Sequence, residues 1–185
     1  PPRAGPGRDR PGTGVAAGTT IGFPHGGHTT ATKLSEANEA LLNGADELDM
    51  VVNTGMVLSG RYTYVKKEIE SLVKLTHDHG ARIKVIFENC YLDESHKIAL
   101  CEICADAGAD WIKTSTGYGT GGATLPDVRL MISNSPSSVE VKAAGGIRDL
   151  DTLLLYRKEG VTRIGASRTK EILKEAERRL NDQNQ

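Results

Sequence analysis

Apolar and polar positions along this chain repeat a pattern: a stretch with helical spacing ends at a glycine, and a short apolar run follows. Gly44-Ala45-Asp46-Glu47-Leu48-Asp49, Gly80-Ala81-Arg82-Ile83-Lys84-Val85, Gly108-Ala109-Asp110-Trp111-Ile112-Lys113 and Gly160-Val161-Thr162-Arg163-Ile164-Gly165 each open such a run. The physical reading is a helix closed by a glycine in the left-handed region, a tight turn, and a buried parallel strand. The preceding stretches fit a 3.6-residue period, as at Val65, Ile69, Leu72 and Val73, or at Ile98, Leu100, Cys101, Cys104 and Ala105. Thr19-Thr20-Ile21-Gly22-Phe23-Pro24 reads as a first strand closed by its proline, followed by a helix over 32–43. Thr124-Leu125-Pro126-Asp127 has the form of a capping box with proline in the first turn, and Asp149 or Asp151 caps the helix that ends at Gly160.

Six strands are predicted, over 18–23, 47–52, 82–88, 110–115, 139–143 and 162–166, in units of about 25 to 35 residues, the length of a βα unit. This is an α/β chain. Its strands fit either a doubly wound open sheet or most of an eight-stranded TIM barrel. Pro1–Gly14 is rich in Pro, Gly and Arg and lacks apolar periodicity, so it is read as a disordered or non-family segment preceding one domain over 15–185.

The 185 residues carry a formal net charge of -1, which argues against nucleic acid or a membrane surface as partner, while leaving room for a local basic pocket for phosphate. No stretch reaches the roughly 18 apolar residues of a membrane span, and the N-terminal segment lacks the apolar core of a signal peptide. A cytoplasmic protein is expected. Cys90, Cys101 and Cys104 are an odd count that suggests no disulfide framework, and Cys101-Glu102-Ile103-Cys104 reads as buried helical thiols. His25 and His28 flank a Gly-Gly turn and His77 and His79 cannot share a helix face, so no metal site and no cofactor are expected.

The candidate chemistry lies at strand ends. Lys113 closes an apolar run and is followed by Thr114-Ser115-Thr116 and a glycine-rich loop, Gly117 to Gly122. A rigidly held amine beside such a loop is what a Schiff-base enzyme needs. Asp49 and Lys142 also fall toward the carboxyl ends of their strands, where the side chains of a parallel barrel converge. A second ammonium nearby disfavours the charged form of the first, and a carboxylate between them can accept and return protons. Ala144-Gly145-Gly146-Ile147-Arg148 and Arg163-Ile164-Gly165-Ala166-Ser167 place small residues beyond the last two strands, the usual phosphate position of a barrel. Gly117-x-Gly119-x-x-Gly122 also matches a dinucleotide-binding fingerprint, so an NAD-binding Rossmann-type oxidoreductase is the competing reading. Against it, the following helix starts late and the acid twenty residues on, Glu140, falls inside a strand.

With these residues the chain resembles the deoxyribose-phosphate aldolases of the class I, Schiff-base type. The matching motifs are Ile21-Gly22-Phe23-Pro24-His25-Gly26, Gly44 to Val51, Lys84-Val85-Ile86-Phe87-Glu88, Ile112 to Gly117, Val141 to Arg148 and Arg163 to Ser167. The resemblance implies a TIM barrel that reversibly cleaves 2-deoxy-D-ribose 5-phosphate to acetaldehyde and D-glyceraldehyde 3-phosphate in deoxyribonucleotide catabolism, with no metal. It implies Lys113 as the Schiff-base amine, Asp49 and Lys142 as the proton-relay pair, and Gly145, Gly146, Gly165 and Ser167 as phosphate-binding positions. Lys84 and Thr116 are implied near the pocket. Nothing in Pro1–Gly14 resembles the two βα units with which the family's barrel begins. About six of eight units are therefore expected, with two unpaired sheet edges that favour pairing with another chain, as in a homo-oligomer. A catalytically silent fragment that binds phosphate or another subunit is the alternative. Arg168 departs from the family by standing where many members have a second phosphate-loop serine.

Overall fold

A computed structural model of the protein describes residues 14–183. The expectation for Pro1–Gly14 thus lies, but for Gly14, outside the described residues. The described residues form six strands and seven α-helices, one helix after each strand except for two after the second: β1 Gly18–Ile21, α1 Thr30–Leu42, β2 Glu47–Val51, α2 Thr54–Leu58, α3 Tyr62–Asp78, β3 Arg82–Ile86, α4 Glu94–Ala107, β4 Trp111–Lys113, α5 Leu125–Ser133, β5 Glu140–Ala144, α6 Leu150–Lys158, β6 Arg163–Gly165 and α7 Thr169–Gln183. All five strand pairings are parallel, and the sheet order is β1-β2-β3-β4-β5-β6. A doubly wound dinucleotide-binding sheet reverses its strand order at a switch point. This sheet never reverses, so the Rossmann reading is corrected to an incomplete TIM barrel.

The predicted caps hold. Gly44, Gly80, Gly108 and Gly160 all have positive φ, and Thr124 and Asp149 accept from the backbone N–H groups of Asp127 and Thr152. Helix α1 begins two residues before the predicted 32 because Thr29 caps it, its hydroxyl accepting from Thr32 N–H. The Thr124 capping box is only half made: the Asp127 carboxylate turns away to Lys97, 2.6 Å distant.

The inner strands β2 to β5 are largely buried on both sides but differ sharply between faces, because successive side chains point opposite ways. Leu48, Met50, Ile83, Val85, Ile112, Val141 and Ala143 face the helices and pack with Ile69, Leu72, Leu100 and Val128 into the core. The other face carries Glu47, Asp49, Lys84, Lys113, Lys142 and Arg163, bonded to one another across the concave side. The sheet must curl for this: Arg163 on β6 reaches Glu47 on β2, 116 residues away, through two bonds of 2.7 and 2.8 Å. Arg82, Lys84 and Arg163 also lie over the Trp111 ring, the guanidinium of Arg163 at 4.5 Å from its centroid, while the indole N–H donates to Glu140. A second buried pair ties the helical layer to the sheet. Lys33 of α1 donates to Glu68 of α3 at 2.9 Å and to the Val51 carbonyl at 2.7 Å, with neither charged side chain exposed.

Candidate active site

Asp49 is the hub of the concave face. Oδ2 accepts from Lys113 Nζ and from Lys142 Nζ, each at 2.8 Å, and Oδ1 lies 3.0 Å from Lys84 Nζ. The strand register makes this meeting: Asp49 stands opposite Lys84, and Lys113 opposite Lys142. Burial alone would raise the Asp49 pKa, but the charges of Lys113, Lys142 and Lys84 outweigh it and hold the carboxyl far below the usual carboxylate range. Lys142 is moved the other way, as burial first and Lys113 second push it below an ordinary lysine against the pull of Asp49. Three amines thus crowd Asp49 in a largely dry site, and Lys84 leans on Glu47 as well.

Lys113 opens onto a cavity of about 410 Å³, whose wall also includes Thr116, Gly117, Tyr118, Gly145, Gly146, Arg148, Gly165 and Ser167. Lys142 and Lys84 instead line a smaller space of about 200 Å³ with Asp49, Thr19 and Thr20. The two lysines that share Asp49 therefore face different volumes. Beside the larger cavity two backbone segments meet closely at Gly145. Ala123 N–H donates to the carbonyls of Ala144 and Gly145, and a Cβ at Gly145, where φ is +87°, would lie 2.9 Å from Gly122 Cα. Glycine is required there on both counts.

The residues read as catalytic, phosphate-binding or pocket positions lie on this side of the sheet. Lys113, Asp49, Lys142 and Lys84 form one ionic cluster; Gly145, Gly146, Gly165, Ser167 and Thr116 line the cavity beside it, and Lys113 belongs to both. Arg168 is exposed and lies outside that lining, whereas Arg148 is part of it. Cys101 and Cys104 are buried free thiols in α4, the first pushed by burial up to about 11 and the second well above the ordinary value. Among the described residues no group of three or more His, Cys, Asp and Glu side chains is arranged to hold a metal ion.

Sequence reasoning missed Glu47 and the role of Glu88. Glu47 is 4% exposed and bonds Lys84 at 2.6 Å, so Lys84 bridges it to Asp49. The signal was available: Glu47 is two residues before Asp49 and so shares its face. Glu88, 3% exposed, accepts from both the backbone N–H and the hydroxyl of Thr116.

The sequence profile described as DeoC/LacD family aldolase matches residues 2–166. A deoxyribose-phosphate aldolase of Rhodopirellula baltica is 62% identical over 169 residues, covering 91% of this chain and 70% of the relative. Among solved structures, a putative deoxyribose-phosphate aldolase from Coccidioides immitis superposes with a TM-score of 0.85 at 39% identity, over 90% of this chain and 66% of its own. A deoxyribose phosphate aldolase from Aeropyrum pernix, described as having a unique tetrameric structure, gives 0.81 at 36% identity, over 89% and 69%. The chain thus spans about two thirds of the length of the proteins it matches.

Proposed function

This chain belongs to the DeoC/LacD family of aldolases, and we propose that residues 15–185 form an aldolase barrel domain that reversibly cleaves 2-deoxy-D-ribose 5-phosphate to acetaldehyde and D-glyceraldehyde 3-phosphate through a Schiff base on Lys113. The observation that carries this reading is the pairing of Lys113 and Lys142 on one Asp49 oxygen, with only Lys113 opening onto the glycine-lined cavity.

Lys113, as the free amine, adds to C1 of the open-chain sugar, and loss of water leaves an iminium that accepts electrons. The C3 hydroxyl proton passes to the Lys142 amine, directly or through a water that Asp49 and Lys142 hold. The C2–C3 bond then breaks, since acetaldehyde takes two carbons, and its electron pair passes into the enamine on Lys113. Protonation at C2 and hydrolysis of the iminium release acetaldehyde and restore the amine. Asp49 suits this work because its low basicity keeps it ionised while its lysine neighbours exchange protons. The phosphate is held by the turns at Gly145-Gly146 and Gly165-Ser167, with Arg148 able to supply a charge-assisted bond. The substrate partner is a small sugar phosphate and the chain acts in deoxyribonucleotide catabolism in the cytoplasm. A homo-oligomer fits the exposed edges of β1 and β6 and the tetramer described for the Aeropyrum pernix protein.

Borohydride trapping with deoxyribose 5-phosphate or acetaldehyde, followed by peptide mass mapping, tests the reading. A substrate-dependent adduct on Lys113 is expected. Folded protein without an adduct would sink it and favour the catalytically silent fragment.

A further inference from the structure

The mechanism above does not use the buried acid Glu88, and unlike Glu47 and Glu68 it is paired with no lysine or arginine among the described residues. Glu88 follows β3 with φ +57° and ψ +62°, the only non-glycine residue with positive φ among those described, and is 3% exposed. A left-handed conformation is costly for a residue with a side chain and persists where the surroundings require it. Here the backbone on both sides is pinned to β4, Phe87 N–H donating to Lys113 O and Asn89 N–H to Thr114 O, both at 2.9 Å. Between those bonds the turn at Glu88 directs its carboxylate beneath the loop that leaves Lys113. One oxygen accepts from Thr116 N–H at 3.2 Å and the other from the Thr116 hydroxyl. The loop is packed down on the same group: a Cβ at Gly119 would lie 3.0 Å from the Glu88 carboxyl carbon.

We propose that Glu88 is a positioning residue that fixes Thr116 as a hydrogen-bond acceptor for a hydroxyl of the substrate. The Thr116 hydroxyl gives its single proton to Glu88, and one of its lone pairs accepts from Tyr118 N–H at 3.0 Å. What remains is a lone pair, and Thr116 lines the cavity together with Lys113. A group so constrained recognises a donor and offers nothing to an acceptor. This rests on the proposed function, in which Asp49 and Lys142 take the C3 hydroxyl. The other hydroxyl between the Schiff-base carbon and the phosphate is on C4, which is C2 of glyceraldehyde 3-phosphate.

The test compares two phosphorylated acceptor aldehydes in condensation with acetaldehyde: glyceraldehyde 3-phosphate, and 3-oxopropyl phosphate, which lacks only that hydroxyl. In Glu88→Gln the amide keeps one acceptor oxygen for the Thr116 N–H and presents an N–H to its hydroxyl, which must then turn its own proton away. kcat/KM for glyceraldehyde 3-phosphate is expected to fall about tenfold or more while that for 3-oxopropyl phosphate stays within about twofold. Thr116→Val, which leaves the backbone bond to Glu88 in place, should show the same selectivity and serves if Glu88→Gln does not fold. An equal loss for both aldehydes, or none for either, would overturn the proposal while trapping of acetaldehyde on Lys113 leaves the aldolase reading intact. Wild-type protein that traps nothing on Lys113 overturns both.

Discussion

Lys113 and Lys142 stand opposite each other in neighbouring strands and give protons to the same oxygen of Asp49, each across 2.8 Å. The two amines compete for one carboxylate oxygen, and the charge of Lys113 is one of the causes that hold Lys142 below an ordinary lysine, after burial. The division of labour between nucleophile and proton carrier thus lies in which amine meets the substrate cavity.

Lys142→Met should separate the two roles. Turnover of deoxyribose 5-phosphate is expected to fall about 100-fold or more, the usual contribution of a positioned acid–base group, while acetaldehyde is still trapped on Lys113. An adduct that vanishes in Lys142→Met but survives in Lys113→Met would reverse the assignment.

Asp49→Asn keeps nearly the same shape but leaves Lys84, Lys113 and Lys142 without the charge they surround. Turnover is expected to drop by about 100-fold or more, and the thermal midpoint to fall as well. Turnover at the wild-type rate would remove Asp49 from the mechanism.

The Asp49 pKa is depressed in the folded state, so its stabilisation is fully present above the ordinary value of 3.8. As pH falls below that value the unfolded chain takes up a proton that the native carboxylate refuses, and stability is lost. Lys142, also depressed, works in the opposite sense: its burial penalty is present at neutral pH, is relieved as pH rises through its lowered folded value, and is gone above the ordinary 10.5. Urea midpoints measured at about pH 7, 5 and 3 should stay level and then drop, less steeply in Asp49→Asn. Equal slopes for the two proteins would contradict the depressed value.

Lys33→Met should destabilise the protein by about 3–5 kcal/mol, because it strands the Glu68 carboxylate in a site with no exposure and removes the donor to Val51 O. Chemical denaturation measures this. A loss below about 1 kcal/mol would mean that water reaches Glu68.

Arg163→Ala removes the tie from β6 to Glu47 and one of the cations over Trp111. Faster amide hydrogen exchange is expected in β6 and α7, with the centre of the sheet unchanged. Uniform acceleration along the chain would show instead that the whole sheet depends on this bridge.

The glycine-led repeat, with the proline that closes the first strand and the glycine turn after the fifth, placed the strands to within about two residues, the uncertainty usual for element ends, because helix ends and tight turns are local events with local chemistry. Asp49, Lys113 and Lys142 were legible for a related reason, since a strand's carboxyl end can be located by counting from the glycine that leads it, as for Asp49 and Lys113, or back from the glycine turn that follows it, as for Lys142. The interactions that close the sheet were not. Arg163 meets Glu47 across 116 residues and Lys33 meets Glu68 across 35, and neither partner is marked by spacing until the curl of the sheet is known. Glu88 was hidden differently: its motif was visible, but nothing in the residue type announces a left-handed backbone.

The contrast between the two faces of the sheet has a consequence for folding. Were β2, β3 or β5 to pair one residue out of step, its acids and lysines would enter the oily layer beneath the helices and its leucines and valines would line the ionic cleft. Either exchange leaves buried charges without partners, so misaligned sheets are excluded early and by a wide margin. The groups assembled for chemistry also serve as alignment marks, and replacing several of them with apolar residues would yield a chain freer to assemble wrongly.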